Sequence, residues 1–186
     1  DGRVRAVLDA CVLVPASTRT ILLGAAAEGL FVPVWSHVIL AEWMHAAARV
    51  GGPTGMAAAQ AAHRAAVAAF PTALVDPGAA VGDMPQLPDP DDAHVLAAAV
   101  AGCADVVITF NLSDFPRRRL AALGITPRDP DGLLWELWSH APDPVARAVQ
   151  AARQALPGQV DDTGHGARPV RAFLRRAGLP RLGRAM

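Results

Sequence analysis

Two kinds of apolar segment alternate along the first 130 residues. Short unbroken apolar runs read as strands buried on both faces, and longer alanine-rich stretches read as helices. The strand-like runs are Val4 to Leu8 (VRAVL), Phe31 to Trp35, Ala73 to Val75, Asp105 to Phe110 (DVVITF) and a fifth that begins at Ile125. Between them Ser17 is placed to cap a helix through ILLGAAAEG, which Gly29 stops. Ser36 caps another, HVILAEWMHAAARV, which ends at Gly51-Gly52-Pro53, and an alanine-rich helix fills about 54–70. Asp76 to Asp91 is rich in Pro, Gly and Asp and reads as a loop. DDAHVLAAAVAG then starts a helix with acids at its positive end, and a short helix covers about 116–122. Strands alternating with helices in this order predict an α/β fold with a parallel sheet. After Pro130 the strand pattern stops. Helices are expected over GLLWELWSHA, Asp143 to Leu156 and 169–177 (PVRAFLRRA), with a Gly-rich loop at 157–168. The chain therefore divides into an α/β domain, 1–130, and a helical C-terminal extension, 131–186.

Composition narrows the possibilities. At 186 residues and 52% hydrophobic, the chain can bury a real core and is not a disordered protein. No apolar run approaches the roughly 18 residues of a membrane span. The two cysteines, Cys11 and Cys103, have neither metal-ligand nor disulfide spacing, which suits a reducing cytoplasm, and both are expected to be small buried hydrophobes. The chain opens on Asp1 without an initiator methionine and enters a strand-like run almost at once. All 17 basic residues are arginine. The absence of lysine removes the P-loop, protein-kinase and Schiff-base chemistries, each of which uses one. Residues 1–116 carry 5 Arg against 11 acids, and residues 117–186 carry 12 Arg against 6 acids. Such a split suits a metal-dependent enzyme acting on a polyanion, and equally an ordinary solvated surface.

The acids fall at telling places. Asp9 ends the first strand, Asp91 and Asp92 start the helix before the fourth, and Asn111 and Asp114 follow the fourth in TFNLSDF. Glu42 lies in an otherwise apolar helical stretch, where a carboxylate must turn outward or find a partner. In parallel α/β sheets ligands bind at the carboxyl ends of the strands, the edge these residues share. Each also has a plain structural reading: Asp92 as an N-cap, Asn111 and Asp114 as turn residues, Glu42 as a solvated helix side chain. Asp9, in a crowded and mostly dry position, is the hardest to explain so.

Together, VLDACVLV, SHVILAE, DPDDAHVLAAAV and VVITFNLSDFP resemble, in order and spacing, a PIN domain of the kind found in VapC-type toxin ribonucleases. The resemblance covers about residues 4–130, and the tail ending RAGLP at Arg176 to Pro180 resembles that of a longer PIN subgroup. It implies a parallel sheet sandwiched by helices, a cytoplasmic Mg²⁺- or Mn²⁺-dependent endoribonuclease, and the toxin of a type II toxin–antitoxin pair. Its expected partners are an RNA substrate, a cognate antitoxin and a second copy of itself, with no membrane. Asp9, Glu42 and Asp92 would be the main metal-binding acids, with the fourth place falling to Asn111 or Asp114. Asn111 stands where many relatives have aspartate. Asp9 and Asp92 would ligate directly, Glu42 would hold a second ion or orient water, and Thr109 and Asp91 would support them from behind. Products would carry a 5′-phosphate and a 3′-hydroxyl.

Physical chemistry agrees with that assignment. A cluster of carboxylates repels itself, so it raises its own pKa values or recruits a cation, and oxygen-only donors select hard ions. An acidic pocket also needs basic residues nearby to hold RNA, and Arg117, Arg118 and Arg119 are the best placed. Other hydrolase patterns fail. A haloacid-dehalogenase-type site would need an aspartate where Cys11 stands, no GxGxxG or HExxH is present, and His37, His45 and His94 read as structural or surface residues. The rival of a different class is a PIN-like module that binds RNA or protein without cutting, which Asn111 favours.

Overall fold

The computed structural model describes residues 2–156 and 167–186. Of the expected 157–168 loop, 157–166 lie outside the described residues, as does the side chain of Arg168. Five strands form one parallel sheet: β1 (Arg5–Leu8), β2 (Val32–Ser36), β3 (Leu74–Val75), β4 (Val106–Ile108) and β5 (Thr126–Arg128), in the order β3-β2-β1-β4-β5. The chain lays β2 and β3 on one side of β1, then returns to lay β4 and β5 on the other. That reversal creates a switch point between β1 and β4, where the first residues beyond the strands open a crevice.

By packing, the chain forms two compact units: Asp1–Val14 with Phe31–Arg128, and Pro15–Leu30 with Asp129–Met186. The first holds the sheet with α1 (Ala10–Leu13), α3 (His37–Ala69), α4 (Ala93–Ala101) and α5 (Arg117–Ala121). Its core joins Val7, Leu8, Val34, Trp35, Trp43, Leu96 and Ile108, all essentially inaccessible to water. Each such side chain contributes about 1.5–3 kcal/mol when fully buried. Ser36 caps α3 as its sequence position predicts, its Oγ accepting from Ile39 N at 3.3 Å. The helix breaks where Gly51-Gly52-Pro53 predicts a stop: Gly52 has φ +58°, which favours glycine, and Pro53 then restarts the helix. The expected loop at 76–91 contains two 3₁₀ turns, Gly78–Asp83 and Pro90–Asp92. Asp92 stands at the start of α4 but caps it with no side-chain bond, so its carboxylate is not used by the helix.

The second unit is helical: α2 (Ala16–Ala27), α6 (Pro130–His140), α7 (Pro142–Ala155), α8 (Ala167–Arg176) and α9 (Pro180–Ala185). Sequence order places α2 with the residues before 131; packing places it with the C-terminal helices. Its apolar face meets α7, and Glu28 pairs with Arg147 at 2.7 Å. Ser17 is not the cap of α2. Pro15, in extended backbone, occupies that position and the helix begins at Ala16, leaving Ser17 in its first turn. Thr18, fully buried, donates to the Ala177 carbonyl at 2.8 Å. The α1 turn and α9 were not expected from the apolar pattern, both being too short to show a helical period. Among the described residues no helix is long and apolar enough to cross a membrane.

Candidate active site

β1 and β4 are paired in register, Leu8 opposite Ile108, so the residues that follow them emerge side by side. Asp9 N donates to the Ile108 carbonyl, which holds the end of β1 against β4 and places Asp9 next to Thr109. Asp9 is 6% exposed and Thr109 is fully buried. Thr109 Oγ1 donates to Asp9 Oδ2 at 2.7 Å, and the Cys11 thiol donates to the same oxygen at 3.2 Å. Asn111 N then donates to Thr109 Oγ1 at 3.0 Å, and Phe110 N to Cys11 Sγ at 3.3 Å. Asp9 is thus oriented through one oxygen only. Oδ1 accepts no hydrogen bond from any described residue. Burial, and then the Asp9 charge, push the Cys11 thiol up to about 12, so it stays a protonated donor.

Asp92 completes the acidic side. Its pKa is pushed up from 3.8 to about 6, first by burial and then by the charges of Asp9, Asp89 and Asp114, with His94 working against the rise. Carboxylates from the ends of β1 and β4 and from the start of α4 therefore share one field. Glu42 reaches its partner across 52 positions: its Oε1 meets His94 Nε2 at 3.0 Å. A carboxylate only accepts, so Nε2 carries the shared proton. His94 is 8% exposed and its Nδ1 has no partner, so the ring's one hydrogen bond is spent on Glu42, whose side chain stays 45% exposed.

The donor set suits a hard divalent cation, being all oxygen with one Asp9 oxygen left over. No three or more His, Cys, Asp or Glu among the described residues are gathered closely enough to hold a metal as they stand.

The PIN-domain family profile matches residues 5–113, more than half of the chain. The chain belongs to the PIN-domain family. No curated protein sequence and no solved structure matches it. PIN domains are generally nucleases and typically use divalent metal ions.

In this PIN domain the residues singled out in the sequence are brought together unequally. Asp9, Thr109 and the Asn111 backbone form one bonded chain, and Asp92 and Asp114 join it through charge. The Asn111 side chain makes no capping bond and is exposed, while Asp114 takes a 3.5 Å contact from Ser113 Oγ. Asp91 meets the site through its backbone, its N donating to Asp89 Oδ1 at 3.0 Å. Asp114 and Arg117 to Arg119 lie beyond the matched residues. The three arginines are exposed on α5, and Arg119 Nη1 donates to the Gln86 carbonyl. Three participants escaped sequence reasoning: His94, Cys11 and Asp89. A search for whatever partners Glu42 could have found His94, two residues past Asp92. Cys11 is half-buried and hydrogen-bonded rather than an inert hydrophobe. Cys103 is exposed rather than buried, in a left-handed turn (φ 48°) between α4 and β4. His37 and His45 are exposed, as expected of surface residues.

Proposed function

We propose that this PIN domain is a cytoplasmic Mg²⁺- or Mn²⁺-dependent endoribonuclease and the toxin of a type II toxin–antitoxin pair. The observation that supports the catalytic part is that Asp92, at the start of α4, is pushed up to about 6 by burial and then by the charges of Asp9, Asp89 and Asp114, beside the β1–β4 switch point. Asp9 and Asp92 would hold the cation directly, with Glu42 and either Asn111 or Asp114 completing the set. When bound, such a cation supplies positive charge against the scissile phosphodiester and its transition state. The chain's own residues prepare for it. Thr109 and Cys11 hold Asp9 Oδ2, which leaves Oδ1 for the cation. His94 holds one oxygen of Glu42, leaving Oε2 to accept a proton from water or orient it. Arg117 and Arg118 supply charge for the RNA backbone beside the acidic loop. The products would carry a 5′-phosphate and a 3′-hydroxyl, and the partners would be an antitoxin and a second copy of the chain.

The full-length protein should cut labelled RNA with Mn²⁺ and not with EDTA. Asp9→Asn should abolish cleavage while leaving the circular dichroism spectrum unchanged. Cleavage that persists in EDTA overturns the metal mechanism. Growth arrest on expression, relieved by Glu42→Ala, tests the toxin role. A second reading, a module that binds RNA without cutting, draws on Asn111 and on the spread of the ligand set. Metal-dependent loss of the RNA substrate decides between the two.

A further inference from the structure

Between Thr163 and Met186 there are six arginines and no acid. The described part of this stretch folds as α8 packed on α9. Arg171 and Arg175 are four residues apart on α8 and so share one face. On α9, a Cβ at Gly183 would lie 3.3 Å from Leu174 Cβ and 3.5 Å from the Arg171 carbonyl oxygen. Its missing side chain lets the two helices close and brings Arg184 to the same hollow. The result is a cavity of about 380 Å³ lined by Arg171, Ala172, Arg175, Pro180, Gly183 and Arg184. All three arginines are exposed, and none forms an ion pair with a described residue. Other arginines of this unit are engaged: Arg181 stacks on Trp135 at 3.7 Å and Arg147 pairs with Glu28.

Three like charges gathered around a hollow with no acid among the described residues of its lining repel one another unless an anion relieves them. We infer that this hollow binds the sugar–phosphate backbone of a single-stranded nucleic acid, a binding site in addition to the carboxylate cluster. The choice of RNA as that nucleic acid rests on the function proposed above. A forked guanidinium matches a phosphate through two parallel hydrogen bonds, and the small walls of Ala172, Pro180 and Gly183 leave room for the sugar. An acidic protein segment fits less well. Protein interfaces take most of their energy from buried aromatic and apolar anchors. Among the described residues, the large apolar side chains with marked exposure are Val4, Val38, Val50, Val100, Phe110 and Leu112, every one in the first unit. A hollow whose charged lining among the described residues is arginine suits backbone phosphate.

The test uses full-length Asp9→Asn in EDTA, so that binding is read without cleavage. Anisotropy of a short fluorescein-labelled single-stranded RNA is followed over a range of salt. Arg171→Ala/Arg175→Ala/Arg184→Ala should weaken binding about tenfold and reduce the slope of log K against log salt by about 2, at roughly 0.7 per phosphate neutralised. Arg171→Lys/Arg175→Lys/Arg184→Lys should keep most of that slope. Should circular dichroism show the triple alanine variant misfolded, each single alanine variant should still lose about 0.7 of the slope. Unchanged affinity and slope in folded variants overturn the inference. So does polyglutamate that displaces the RNA as well as unlabelled RNA of equal charge. Wild-type protein with Mn²⁺ is assayed in parallel. Arginine-dependent binding without cleavage sinks the nuclease proposal and leaves this site standing, whereas cleavage with arginine-independent binding does the reverse.

Discussion

At the scale of single residues, the site is organised by a few hydrogen bonds that leave specific oxygens free. Thr109 is the hinge of that arrangement, donating to Asp9 and accepting from Asn111 N. Thr109→Val keeps the shape and deletes both bonds. It should cost about 1–2 kcal/mol of stability, since Asp9 Oδ2 loses one of its two donors and the part-buried Asn111 N loses its acceptor. Cleavage should fall by roughly 10–100-fold, the usual cost of removing a group that orients a ligand. Urea titration and initial rates measure the two effects. Asp92 makes the site pH-sensitive. Its carboxyl titrates near 3.8 when unfolded and about 6 when folded, so between those values the folded state binds more protons. Its contribution therefore favours folding progressively less as pH rises from about 4 to 6, and levels off above. Metal-free protein should lose thermal stability across that window, and Asp92→Asn should flatten the loss. These side-chain roles were partly legible beforehand. Asp9 and Glu42 stand out because each meets an apolar pattern, and Asp92 because it stands at a helix start. His94 does not, because its partner lies 52 positions away and no local pattern links them.

At the scale of elements, short polar anchors decide where helices begin and what they meet. Asp129 caps α6, accepting from Gly132 N at 3.0 Å. Within that helix, buried Asp131 accepts from Arg181 N at 2.8 Å and from Leu182 N at 2.9 Å. It thereby satisfies two backbone donors at the start of α9 that the helix itself cannot. Asp131→Ala should destabilise the protein by about 2–3 kcal/mol, because two bonds to a carboxylate are lost and the Leu182 donor stays buried. A shifted urea midpoint with unchanged slope is the expected signature. Long elements were readable because their periods are long. The Ser36 cap and the Gly52 break are chemical signals that act within a few residues, so they too were visible. α1 and α9 are short turns held by neighbours, and Ser17 lost its capping place to Pro15, whose ring cannot continue a helix backward.

At the scale of the whole molecule, ligand binding and stability are linked. A cation that binds only the folded chain should stabilise it by about 2.7 kcal/mol at 100 times its Kd. For a chain of this length each kcal/mol moves Tm by about 2–4 °C. Mn²⁺ should therefore raise the Tm of wild type by about 5–11 °C and that of Asp9→Asn by much less. An equal rise in both would mean the ion binds elsewhere. This measurement needs no RNA, and so separates loss of the cation site from loss of substrate.

By itself the amino-acid order determined the strands, the long helices, the parallel sheet and which acids sit at strand ends. Those features follow from hydrophobic period and from turn chemistry, both local along the chain. Tertiary structure decided the rest: that β4 returns to lie beside β1, that His94 meets Glu42, that Cys11 serves Asp9, and that α2 packs with the C-terminal helices. Each of these joins positions far apart in sequence. Only packing of the apolar faces, which is indifferent to sequence distance, brings such groups within hydrogen-bonding reach.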